Sequence, residues 1–163
     1  MSAMATRMRE LGTVDVLRLG VLGLALLGIV GTTIELVFLQ HWDGTTQKIV
    51  WPAMVACVVA LVLIAFRPTS TRVWVARALC IVVLAISGLG IVLHVHENME
   101  AAPLDRHYGD VWDSMSTVDQ VWAAVSGEVG PAPTLAPGAL AEISFALLLA
   151  TVRLPLPERR AAD

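Results

Sequence analysis

The sequence predicts an all-α protein, a four-helix transmembrane bundle with a short amphipathic helix in its outer loop. Three observations carry this. Hydrophobic residues make up 56% of the 163 and charged ones 15%, with a mean hydropathy of +0.73, a composition that a water-soluble domain of this size cannot conceal. Four apolar stretches approach the roughly 20 residues that a helix needs to cross about 30 Å of hydrocarbon. Nine of the eleven lysines and arginines fall in segments that would share one face of a bilayer.

The first span is residues 17–39. Arg7 and Arg9 precede it as they would a signal peptide, but the apolar run is long for such a segment and lacks a small-x-small cleavage site, so it is expected to be retained. The second span, 49–66, contains no charged residue. A polar turn, Arg67-Pro68-Thr69-Ser70-Thr71-Arg72, leads into the third span at 73–93. These connections are short, which makes helices one to three sequential antiparallel neighbours. The fourth span occupies 137–154, opened by Pro137 and stopped by Pro155 and Pro157. Barrel strands are excluded because no segment alternates with period two, and backbone groups in lipid must pair within their own helix.

Arg7, Arg9, Arg18, Arg67, Arg72, Arg77, Arg153, Arg159 and Arg160 lie on one side of this arrangement, against Lys48 and Arg106 on the other. The richer side is cytoplasmic by the positive-inside rule, which places both termini in the cytoplasm of a bacterial plasma (inner) membrane. Arg77 and Arg153 start slightly inside their helices, from where long side chains snorkel to the interface. A net charge of −3 leaves no basic footprint for nucleic acid. Cys57 and Cys80 fall within apolar runs at different depths, which argues against a disulfide.

The long outer loop, 95–134, is acidic. Within it Val111, Trp112, Met115, Val118, Val121, Trp122 and Val125 recur at helical offsets, and Thr117-x-x-Gln120 offers a capping box. This predicts an amphipathic helix, or two short ones, resting on the membrane surface. The five tryptophans, Trp42, Trp51, Trp74, Trp112 and Trp122, sit near helix ends or in this loop, as an interfacial belt requires.

Polar residues at membrane depth are the candidates for chemistry. Glu35 lies seventeen residues after Arg18, about 25 Å up the helix, and Glu142 lies near the outer end of span four. Intramembrane carboxylates ordinarily face the bundle interior and find a partner. Glu35 shares a face with Gly20, Gly28 and Gly31, while Ser87, Gly90 and His94 share one on span three. Packing those small-residue faces together would deliver Glu35 and His94 to one level. His41, Asp43, His96, Glu97, Asn98 and Glu100 lie close by in sequence. The imidazoles of His41, His94 and His96, with these carboxylates, suit a transition metal or axial haem ligation; the competing reading makes them interfacial polar anchors. His94 and His96 would join one site only if their helix ends near His94, because residues two apart on a helix diverge.

The run Leu93-His94-Val95-His96-Glu97-Asn98-Met99-Glu100, with Pro133-Thr134-Leu135-Ala136-Pro137-Gly138 after the loop, resembles a group of small, uncharacterised four-span bacterial integral membrane proteins. There a histidine and Asn-x-Glu follow span three, and a Pro-x-Leu-Ala-Pro-Gly turn opens span four. The resemblance implies the same layout and singles out His94, Asn98 and Glu100; it implies no activity.

The leading expectation is therefore a protein without catalytic activity, an accessory subunit or scaffold, whose polar cluster comprises Glu35, His41, His94, His96, Asn98, Glu100 and Glu142. Its partners are the lipid bilayer and other membrane subunits or a second copy of itself; it carries no cofactor. Two alternatives stand beside it. One is a redox component holding haem or a transition metal at the outer surface, and the other is a proton- or cation-coupled carrier. The absence of recognisable inverted repeats weighs against the carrier.

Overall fold

The computed structural model describes residues 12–44, 47–134 and 136–154. Arg7, Arg9, Pro155, Pro157, Arg159 and Arg160, used above for topology, lie outside the described residues. The described residues are helical, with no strand among them: α1 (Thr13–Phe38), α2 (Val50–Ala65), α3 (Ser70–Ala101), α4 (Thr117–Ser126) and α5 (Ala136–Ala150). A 3₁₀ turn, Gln47–Ile49, leads into α2, and two more, Ala102–Leu104 and Trp112–Ser114, lie between α3 and α4. Three helical segments, Thr13–Phe38, Gln47–Ala65 and Ser70–Leu104, are long and apolar enough to cross a membrane.

Each long helix buries one stripe spaced by three and four residues. On α1 it runs Leu22, Ala25, Ile29, Thr32, Leu36, and on α3 it runs Val73, Ala76, Cys80, Val83, Ser87. Leu22, Ala25, Ile29 and Leu36 of the first stripe and Ala76, Cys80 and Val83 of the second, with Ala53, Cys57, Ala60, Leu140, Ile143 and Leu147, form one core. Many of its members are small, so the helices pack closely. Both cysteines are free and buried, and Cys57 Sγ lies 3.8 Å from Ser144 Oγ.

The order of packing differs from the sequence expectation. α5 runs along both α1 and α3 and also touches α2, whereas α1 and α3 scarcely meet. The glycines explain this. A Cβ on Gly28 would come within 2.7 Å of Ile143, and one on Gly90 within 3.0 Å of Pro137. Each glycine thus lets α5 wedge against its neighbour, while Gly20 and Gly31 face open space. The small-residue faces of α1 and α3 receive α5, not each other.

Helix lengths also differ from those expected. α3 does not stop at residue 93: its 32 residues give a rod of about 48 Å, so its last two turns project beyond the apolar stretch. α5 has only 15 residues, about 22 Å, and stops at Ala150, short of the expected residue 154. Turn-type bonds then carry the chain on, with the Thr151 and Val152 N–H groups on the Leu148 and Leu149 carbonyls at 3.0 Å each.

The carbonyls left free at the α5 C-terminus are covered by arginines from two other helices. Arg18 of α1 donates to Ala150 O and Val152 O, both at 3.0 Å, and pairs with Asp15 at 2.7 Å. Arg77 of α3 donates to Thr151 Oγ1 at 2.8 Å and Thr151 O at 2.9 Å. Cations at a helix C-terminus satisfy orphan acceptors and oppose the negative end of the dipole. Arg18 and Arg77 therefore tie three helices together at the arginine end.

The opposite end carries the long loop, folded into a cap. Its own small core consists of Ala102, Trp112, Ala123, Ala124 and Val129. α4 starts one residue earlier than the expected box: Ser116 Oγ accepts the Asp119 N–H at 3.2 Å and donates to the Asp119 carboxylate at 2.6 Å, while Gln120 reaches back to Trp112 O at 2.7 Å. The chain breaks between Trp112–Ser114 and α4, so of the two expected arrangements it is the pair that forms, a 3₁₀ turn followed by an α-helix. Trp112 is buried in the cap, whereas Trp122 is exposed beside Val118 and Val121. Only the latter keeps an amphipathic face turned outwards. Asp105 Oδ1 accepts the N–H groups of His107 and Tyr108, at 2.8 and 3.1 Å, and these bonds hold its carboxyl below the usual range. The Tyr108 hydroxyl donates to Glu128, which raises the pKa of the phenol.

Candidate functional site

At the loop end the core gives way to a cavity of about 640 Å³. α1, the start of α2, α3, the segment 131–133 and the first turns of α5 surround it. Glu35, His41, His94 and Glu97 stand around its mouth, and Thr32 and Ser87 lie deeper.

The C-terminus of α1 places His41. Gln40 takes the left-handed conformation, φ 49°, and the His41 N–H bonds the Leu36 carbonyl at 3.0 Å, a Schellman-type reversal that folds the chain back over the helix end. Trp51 Nε1 donates to the His41 carbonyl at 2.9 Å, and its ring sits 6.3 Å from that of Trp42. Gln47 Oε1 accepts the N–H groups of Asp43 and Gly44, both at 3.1 Å. The short connection is thus stapled to α2, and His41 is held at the cavity rim. Burial pulls the His41 imidazole below its ordinary pKa; the nearby His94 acts in the same direction and Glu97 opposes it.

α3 supplies the other wall. Ser87, Gly90, His94 and Glu97 line the cavity at successive offsets of three, four and three, one face of a helix. His94 Nδ1 lies 2.9 Å from the Pro133 carbonyl. A carbonyl only accepts, so Nδ1 carries the proton and the neutral ring keeps its lone pair on Nε2. Ser87 is 1% exposed, and its Oγ has no hydrogen-bond partner among the described residues.

Asn98 holds the roof. The residue is fully buried. Its Nδ2 donates to Ala124 O at 3.1 Å and Ala132 O at 2.9 Å, and its Oδ1 accepts the Ala132 N–H at 2.8 Å. Its amide thereby joins α3 to the end of α4 and to the segment that closes the cavity. Gly130 passes directly over it with φ +76°, and a Cβ there would come within 2.8 Å of Asn98 Cβ and nearer still to its Oδ1. Thr134 Oγ1, also buried, donates to Val125 O at 2.7 Å.

The structure therefore divides the seven residues singled out from the sequence. Glu35, His41 and His94 come together at one cavity. His96 does not join them, because α3 continues past His94 and turns it away to an exposed pairing with Glu100 at 3.3 Å. Asn98 serves the roof from beneath. Glu142 is exposed on α5 and does not line the cavity, contrary to the expectation that it faces inwards. Among the described residues, no three histidine, cysteine or acidic side chains are grouped so as to hold a metal ion. Gln47 was not singled out for the site, Glu97 entered only as one of the neighbouring carboxylates, and Ser87 only as a small packing residue; the three-four-three spacing through His94 was the available signal. No family model, curated protein or solved structure matches this chain.

Proposed function

We propose that the chain is a non-catalytic integral protein of a bacterial plasma membrane, an accessory or scaffold subunit that crosses the bilayer four times with both termini in the cytoplasm. One observation carries the membrane reading: the outward faces of the long helices stay apolar along their length, with Leu24, Leu27, Val55, Trp74, Ile81 and Val92 each at least 60% exposed. A surface of that kind and extent is unstable in water and is the natural complement of lipid tails. The short α5 fits as a fourth crossing because α1, α2 and α3 shield it and Arg18 and Arg77 reach in to its C-terminal carbonyls. These two arginines, with Arg67, Arg72 and Arg153, gather at one end, and the acidic cap lies at the other. That asymmetry supports the orientation by the positive-inside rule. The exposed Val118, Val121 and Trp122 of α4 suit a resting place in the headgroup layer.

A membrane-impermeant maleimide tests the arrangement, with Cys57 and Cys80 buried and silent. Asp110→Cys is expected to label in intact cells and Thr69→Cys only after permeabilisation. Labelling of both from the same side would overturn the topology. The scaffold reading expects the detergent-purified protein to be colourless, to co-purify with a larger membrane assembly and to support no ion flux in liposomes. A stoichiometric metal, a haem absorption band or flux dependent on Glu35 would replace it with one of the two alternatives.

A further inference from the structure

The geometry points to the cavity under the cap as a binding site for an amphiphilic primary amine, an apolar chain ending in an ammonium group. The size suits such a ligand, since about 640 Å³ falls within the range of small-molecule sites. Chemical polarity sets the class. Glu35 and Glu97 present carboxylates, and His94, with Nδ1 committed to Pro133 O, presents Nε2 as an acceptor. No lysine or arginine lines the cavity among the described residues. Gln47 spends its carbonyl oxygen on Asp43 and Gly44, which leaves its NH₂ as a donor at the rim. A mouth so rich in acceptors and negative charge selects a cationic donor, and an ammonium brings three N–H groups.

The second observation is Ser87. Its hydroxyl is buried against the cavity without a partner, a state that proteins rarely leave unsatisfied; since it lies about 10 Å along α3 from His94, a water held beneath the ammonium, not the apolar chain, would relieve it. A bare metal ion is a poor occupant, since too few donors group together. The walls fit an apolar body: Leu36, Ile86, Leu93 and Leu140 line the cavity, and the exposed Leu39 and Leu89 at its margin continue that surface outwards to where lipid tails would lie. An amphiphile would enter sideways, with its head held between α1 and α3. The inference rests on the bundle standing in a bilayer.

The test uses the full chain in lipid nanodiscs, with empty discs subtracted. Decylammonium is expected to bind saturably, one per chain, and decyl sulfate not at all. Decyltrimethylammonium, which keeps the charge but has no N–H, is expected to bind several-fold more weakly. Glu35→Gln and Glu97→Gln, at exposed positions that tolerate a neutral isostere, should each weaken decylammonium by about tenfold, the loss of one charge-assisted bond, and Ser87→Ala, which removes only the anchor of the water beneath, by less than either. Glu142→Gln, an exposed carboxylate outside the cavity, should change nothing. Equal binding of sulfate and ammonium, or decylammonium affinity unmoved by both glutamine variants, would overturn the proposal. Failure of the membrane reading looks different: the protein would not enter discs at all. Adding phosphatidylethanolamine to the discs separates the sources, since competition marks a membrane lipid and its absence a free amine.

Discussion

Replacing Asn98 by alanine should release the cap from α3 while leaving the bundle core assembled. The side chain is fully buried and makes three hydrogen bonds, two to Ala132 and one to Ala124. At about 1 kcal/mol net for each, the local loss is about 3 kcal/mol. Since 1.4 kcal/mol is a factor of ten, amides in residues 129–134 should exchange with deuterium roughly 150-fold faster. Peptides from α1 and α2 should exchange as before, because no bond of Asn98 reaches them. Asn98→Asp sharpens the experiment. It keeps an acceptor for the Ala132 N–H but turns a carboxyl oxygen towards two carbonyls at a fully buried position, so it should open the segment at least as much as alanine does. Hydrogen exchange read by mass spectrometry on detergent-solubilised protein measures both variants. Unchanged exchange over 129–134 in Asn98→Ala would mean that packing of Val129 alone fixes the roof, and the role given to the amide would fall.

Three further outcomes follow from the same geometry. Gly130→Ala should lower the melting temperature well beyond Gly127→Ala: both glycines have φ +76°, which costs a non-glycine residue about 1 kcal/mol, but only at 130 would the new methyl strike Asn98, and equal shifts would contradict that contact. Arg77→Leu should destabilise the protein by about 2–3 kcal/mol by stripping charged donors from Thr151, and Arg77→Lys should recover part of this; thermal unfolding in detergent reads both, and a neutral Arg77→Leu would show that the α5 terminus needs no clamp. Because burial lowers the pKa of His41 in the folded state, protonation favours the unfolded chain. Stability should be full above the ordinary histidine pKa of about 6.5 and fall as pH drops through the folded value, with Glu97 opposing and His94 reinforcing the effect. His41→Gln should flatten the melting-temperature profile between neutral and mildly acidic pH, and an unaltered slope would assign the effect elsewhere.

The long apolar helices were legible because hydropathy summed over some twenty residues is insensitive to detail, and the first two end within a few residues of the expected bounds. Partner choice was not. A helix covered by neighbours on one side and facing outwards with apolar residues on the other is apolar all round, so no amphipathic stripe announces that α5 enters between α1 and α3. The glycines were visible, but Gly28 and Gly90 are filled by Ile143 and Pro137 from a helix far along the chain, which spacing within α1 or α3 cannot reveal. The length of α3 was missed for a related reason: beyond residue 93 the helix is sustained by packing against the cap core and by Asn98, which are tertiary contacts. Because it continues, His94 and His96 diverge, and the sequence had stated that condition without being able to decide it. Glu142 followed the rule that buried carboxylates turn inwards, but the helix leaves that position exposed.

The length of α3 gives it leverage. Its N-terminal end is fastened at Arg77 to α5, and its C-terminal end carries the cap, some 24 residues on. Over that distance, about 36 Å, a tilt of only about 5° swings the tip by about 3 Å. A rotation of that size would be magnified into a displacement comparable to the width of a water molecule at the tip, and the packing of α5 along α3 and the bonds of Asn98 to the cap are what oppose it.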